Sequence, residues 1–144
     1  MKVLFDTSVL VAALVEAHTM HARSLVWLQK AKSHEVDAFI CNHTLAELYA
    51  VLTTLPLKPR ISPRIAGHLI HENVETLTKP VPLSGGDYTS VIKGMISKGF
   101  SGGIIYDALI AKTAQKIEVD RLLTLNPEDF TRIWPEGISV IATP

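Results

Sequence analysis

The feature that most constrains the fold is an alternation: short apolar runs are separated by stretches whose apolar residues recur with helical spacing. Val3 to Phe5 reads as a buried strand, and Asp6-Thr7-Ser8 behind it reads as a helix start. Further strands are expected at Ala38 to Cys41, within Glu75 to Leu83, at Arg121 to Thr124 and at Ser139 to Ala142, the third weakened by Pro80 and Pro82. Helical patterns fill the intervals, about Val9 to Val15, His21 to Lys32, Leu45 to Leu55, Arg64 to Val74, Tyr88 to Lys98, Ile104 to Ile117 and Pro127 to Ile133. Ser62-Pro63 is a good helix start and Gly99 a good stop. The alternation predicts an α/β fold, a three-layer α/β/α arrangement around a central, mostly parallel sheet of about five strands. With no repeat or linker, one domain spanning residues 1–144 is expected. Ligands of such sheets gather beyond the carboxyl ends of the strands.

Composition narrows the function. A chain that is 47% hydrophobic and 19% charged is no disordered tail. Its apolar surplus, notably on His21 to Lys32 and Arg64 to Val74, predicts self-association and a groove for a partner segment. Fourteen basic residues balance fourteen acidic ones, so any hold on nucleic acid must be local rather than a general basic attraction. The charge is nonetheless uneven: Lys93 to Lys116 holds four lysines and one acid, Asp107, whereas Glu118 to Glu136 holds five acids and two arginines. The longest apolar run, Val9 to Val15, has seven residues, far below the ~20 that span a bilayer, and Asp6 interrupts any leader-like start. A soluble cytoplasmic protein is expected. The single Cys41 forms no internal disulfide and reads as a small buried residue.

Several chemistries drop out. Gly99-Phe100-Ser101-Gly102-Gly103 matches a nucleophile-elbow pattern, but a helical stretch precedes it and no histidine follows His71. His71-Glu72-Asn73-Val74-Glu75 lacks the second histidine of a zinc-protease helix. The pairs His18 with His21 and His68 with His71 have no acid or cysteine at matching spacing. No phosphate-binding Gly-rich loop with lysine occurs.

Three carboxylates remain, each isolated among apolar or small residues: Asp6 behind Val3-Leu4-Phe5, Glu47 within Leu45 to Leu52, and Asp107 within Ile104 to Ala111. An acid in such company needs a partner. Each also has a structural explanation at a helix start: Asp6 as an N-cap, Thr44-Leu45-Ala46-Glu47 as a capping box, and Asp107 at the positive end of its helix. All three can converge at one edge of the sheet. Clustered carboxylates repel one another unless a divalent cation neutralises them, and oxygen-only ligands suit Mg²⁺ or Mn²⁺.

The opening Val3-Leu4-Phe5-Asp6-Thr7-Ser8-Val9-Leu10, the helix around Glu47, the run Gly102 to Ala111 and Leu123-Thr124-Leu125-Asn126-Pro127-Glu128-Asp129-Phe130 together carry a resemblance over nearly the whole chain. The sequence resembles PIN-domain ribonucleases, most closely the VapC-type toxins of prokaryotic toxin–antitoxin pairs. The resemblance implies that Asp6, Glu47 and Asp107 are metal ligands, directly or through water, and that Thr7 or Ser8 orients a ligand or a water. It places Asn126 where the family often has a fourth acid, with Asp129 as an alternative. It also implies Mg²⁺- or Mn²⁺-dependent cleavage of RNA, a homodimer and an antitoxin partner.

Two related readings share these residues: a PIN nuclease of RNA maturation without an antitoxin, and a degenerate RNA-binding or scaffold PIN domain suggested by Asn126. Phosphoryl transfer through Asp6 is disfavoured, because Ser8 stands where a second aspartate is wanted.

Overall fold

The structure, a computed structural model, describes all 144 residues. Its strands are β1 (Lys2–Phe5), β2 (Asp37–Cys41), β3 (Lys79–Val81), β4 (Arg121–Leu123) and β5 (Ile141–Ala142). They form one parallel sheet in the order β3-β2-β1-β4-β5. The helices are α1 (Thr7–Leu14), α2 (His21–Lys32), α3 (Asn42–Thr54), α4 (Pro63–Ile70), α5 (Gly85–Lys98), α6 (Ile104–Ile117) and α7 (Pro127–Ile133). The predicted α/β class, with its central parallel sheet, is the observed one.

The three layers follow from the two-residue period of the strands. Val3, Phe5, Ala38, Ile40 and Leu123 enter one core with α1 to α4, and Leu4, Cys41 and Leu122 enter the other with α5, α6 and α7. Burial on both faces explains why β1 reads as a continuous apolar run. Pro80 does not break β3 because β3 is an edge strand, where a missing N–H faces no further neighbour. No helix is long and apolar enough to cross a membrane.

Three boundaries differ from expectation. Helix α3 starts at Asn42, directly after β2, with Cys41 in the N-cap position. The expected Thr44–Glu47 capping box therefore does not form: Thr44 is inside the helix and its buried hydroxyl has no hydrogen-bond partner. Helix α5 starts three residues before Tyr88, because Ser84 and Asp87 make a capping box of 3.1 and 2.8 Å bonds. The pattern Arg64 to Val74 stops as α-helix at Ile70 and continues as a π-helical turn, His71–Glu75. There Asn73 Nδ2 donates to Leu69 O and Thr76 Oγ1 to Glu72 O, so side chains compete for the helix carbonyls. Gly99, at φ 69°, ends α5 as expected, and the preceding helix rules out the nucleophile elbow.

This topology makes a site. From central β1 the chain winds outward through β2 and β3, then returns to add β4 and β5 on the other side. The winding reverses between β1 and β4, where a crevice opens beyond the strand ends. Helices α1 and α3 leave directly from the carboxyl ends of β1 and β2. Helix α6 must run back toward the start of parallel β4, so its first turn lies at the same edge.

Candidate active site

Asp6 is the first residue beyond β1 and is 3% exposed. It occupies the N-cap position of α1, yet its side chain makes no capping bond. Instead Oδ2 accepts from Ser8 Oγ at 2.6 Å and from Thr124 Oγ1 at 2.8 Å. Both hydroxyls are tied down in turn: Leu125 N–H donates to Ser8 Oγ at 3.0 Å, and Asn126 N–H donates to Thr124 Oγ1 at 2.9 Å. The loop beyond β4 is thus laced to the start of α1 through one carboxylate.

Glu47 and Asp107 come from two further elements, α3 and α6, and line the same cavity of about 510 Å³ as Asp6, Thr7, Ser8 and Asn126. Sequence reasoning had named all six. His18, Met20, Val11, Val51 and Leu125 complete the lining. His18, half of a histidine pair in the sequence, belongs to the wall; its Nδ1 accepts from Met20 N–H at 3.0 Å. Asp129 does not line this cavity. It lies in an adjoining one of about 420 Å³ that shares Asp107 with the first, paired with Arg132 at 3.6 Å.

The electrostatics are those of crowded acids. Burial pushes the Asp6 carboxyl up, against the stabilising hydroxyls of Ser8 and Thr124. Burial and the Asp6 charge push Glu47 up, and nearby His43, 3.7 Å away, pulls it back. Asp107 is pushed up to about 7, first by burial and then by Asp6, Asp129 and Glu47. Asp129 therefore acts on the site through its charge although it stands outside the cavity.

The donor set fits a hard divalent cation. Glu47 Oε2 is buried and makes no well-formed hydrogen bond, a costly arrangement for a carboxylate oxygen: His43 Nε2 stands 3.7 Å away, and the nearby Thr7 hydroxyl, which lowers the Glu47 pKa, is itself without a well-formed bond. All the candidate ligands are oxygens, as Mg²⁺ and Mn²⁺ prefer. The carboxylates do not close into a preformed chelate, since no three acid, histidine or cysteine side chains stand together at metal-binding spacing.

A family model described as the PIN domain matches residues 3–133, which includes every strand but β5 and all three carboxylates. The chain belongs to the PIN-domain family. This PIN domain is 37% identical over 109 residues to Ribonuclease VapC27 of Mycobacterium tuberculosis, covering 76% of this chain and 74% of that protein. Its fold is similar to that in the crystal structure of VapBC2 from Rickettsia felis, at a TM-score of 0.69, 19% identity and coverage of 100% and 99% of the two chains. It is also similar to FitAcB from Neisseria gonorrhoeae, at a TM-score of 0.66, 18% identity and coverage of 98% and 95%. The resemblance read from the four sequence motifs is therefore the family to which this PIN domain belongs.

Proposed function

We propose that this PIN domain is a metal-dependent endoribonuclease of the VapC type, the toxin of a toxin–antitoxin pair. The observation that carries the metal-dependent part is the convergence of Asp6, Glu47 and Asp107, from three separate elements, on one cavity where buried Glu47 Oε2 has only His43, 3.7 Å away, and the Thr7 hydroxyl to offset its charge. The ribonuclease part draws on the 37% identity to a protein named as a ribonuclease. The antitoxin part draws on the VapBC2 and FitAcB likenesses.

In this reading Asp6, Glu47 and Asp107 hold Mg²⁺ or Mn²⁺. When bound, the ion lowers the pKa of the attacking water and offsets charge on the phosphodiester and its leaving oxygen. Ser8 and Thr124 hold Asp6 through two hydrogen bonds to Oδ2, an orientation in which the carboxylate would serve as a ligand. Thr7, whose buried hydroxyl lies beside Glu47 and lowers its pKa, would help orient that ligand. Asn126 offers the cavity an amide oxygen without charge, while Asp129 adds negative potential from beyond Asp107.

Self-association belongs to the same reading. Its apolar face is a stripe on α5, Tyr88, Ile92 and Ile96, which are 40%, 47% and 74% exposed. They are spaced one helical turn apart. The helices singled out from sequence expose only isolated large residues, Val26 on α2 and Ile65 on α4.

The deciding experiment is incubation of labelled total RNA with purified protein in Mg²⁺, in Mn²⁺ and in EDTA. Cleavage that persists in EDTA defeats the metal assignment, and the absence of cleavage in every condition defeats the enzyme.

A further inference from the structure

Beside the carboxylates, the rings of His43 and Tyr106 lie face to face, with centroids 4.7 Å apart and planes 2° from parallel. His43 is in the first turn of α3, one turn before Glu47, and Tyr106 is in the first turn of α6, next to Asp107. The stack thus joins the first turns of the two helices that carry two of the three acids. Tyr106 belongs to neither core and is 45% exposed, and His43 ties the stack to the cavity wall, its Nε2 standing 3.7 Å from Glu47 Oε2.

A chain with no net charge, and with acids crowding its cleft, holds a polyanion poorly by charge alone. Stacking needs no charge. Single-stranded RNA is commonly gripped by splayed bases laid on tyrosine or histidine rings, and two parallel rings offer an outer face on which a third flat ring continues the stack. We propose that the His43–Tyr106 stack is a nucleobase platform, holding the base of a nucleotide that flanks the scissile phosphate and so contributing to the choice of cleavage site. Larger purine faces gain more from it than pyrimidines. Tyr106 is then a specificity-determining residue, and His43 a positioning residue that keeps the tyrosine ring flat.

This inference rests on the ribonuclease reading, and the test separates the two. Cleavage sites in total RNA are first mapped for the wild type, and a short RNA bearing one mapped site then serves as substrate for wild type, Tyr106→Phe and Tyr106→Leu. The platform predicts that Tyr106→Leu raises KM roughly 5- to 150-fold, the span that base–aromatic stacking supports. It also predicts little change in kcat, weaker flanking-base preference in the mapped sites, and wild-type behaviour for Tyr106→Phe. Replacing the flanking base by an abasic residue should cost the wild type a similar factor and cost Tyr106→Leu almost nothing further. Unchanged KM and sites in Tyr106→Leu overturn the platform while leaving the ribonuclease intact, as does a Tyr106→Phe variant as impaired as Tyr106→Leu. If Tyr106→Leu cleaves normally but escapes inhibition by a co-purified protein partner, the ring is a protein contact and the platform is wrong. A wild type that cleaves no RNA overturns both.

Discussion

Thr124 and Asp6 are joined by a 2.8 Å hydrogen bond, the threonine hydroxyl donating to Asp6 Oδ2 across 118 positions of sequence. The bond links the carboxyl ends of adjacent central strands at the point where the winding of the sheet reverses. It also supplies part of what a nearly inaccessible carboxylate needs in place of water.

Removing that donor should be felt in stability. Thr124→Val keeps the shape and deletes the hydroxyl, leaving Asp6 Oδ2 with Ser8 alone and Asn126 N–H without its acceptor. A loss of about 1–3 kcal/mol is expected, seen as a melting midpoint lower by several degrees. A midpoint equal to that of the wild type would show that the bond contributes nothing.

Asp107→Asn keeps the volume and the place in the first turn of α6 while removing a ligand charge. Cleavage should fall by at least about a hundredfold, the upper end of what loss of even an outer-shell metal partner costs, with an unchanged circular dichroism spectrum. Full activity in this variant would remove Asp107 from the site.

The metal-free protein should be more stable in mild acid than at neutrality, as far as this site is concerned. The folded state holds the Asp107 proton up to about pH 7, against an ordinary carboxyl value of 3.8, so the fold binds more protons than the unfolded chain between these limits. Its contribution is present below pH 3.8 and is lost as pH rises toward 7. Melting in EDTA from pH 5 to 8 should show a downward trend that flattens in Asp107→Asn. Parallel trends in the two proteins would mean that Asp107 is not the group responsible.

Divalent metal should reverse the loss. Binding to the folded state alone adds about 2.7 kcal/mol at a hundredfold excess over Kd, a rise of several degrees for a chain of this size. The gain should fade on acidification, as protons compete for the carboxylates, and shrink in Glu47→Gln, which removes the charge of that cavity side chain. Equal midpoints with Mg²⁺, Mn²⁺ and Na⁺ at matched ionic strength would sink the shared site.

Self-association should depend on α5. Sedimentation of the wild type at micromolar concentration is expected to give a dimer, and Ile92→Asp with Ile96→Asp should give a monomer with an unaltered fold, since both side chains are exposed. A wild-type monomer, or a dimer indifferent to these changes, would clear α5 of the role.

What the sequence by itself determined is the set of properties carried by local pattern. Short apolar runs set the strands, helical periodicity placed all seven α-helices, and solitary acids among apolar neighbours marked Asp6, Glu47 and Asp107. These signals are legible because burial and backbone geometry act over one or two turns of chain. Tertiary structure decided everything that depends on which distant groups meet. A hydroxyl at Thr124 is an ordinary strand-end residue until β4 pairs beside β1 and aims it at Asp6. His43 and Tyr106 carry no local mark beyond lying near an acid, and they stack only because α3 leaves β2 at the edge where α6 begins. Thr44 and Glu47 have the spacing of a capping box, yet continuous passage from β2 into α3 moves both inside the helix and leaves Glu47 in the cavity wall, its Oε2 without a hydrogen bond. The helix start thus lost its local explanation for that acid, because pairing of the sheet, not the four-residue motif, set where the helix began.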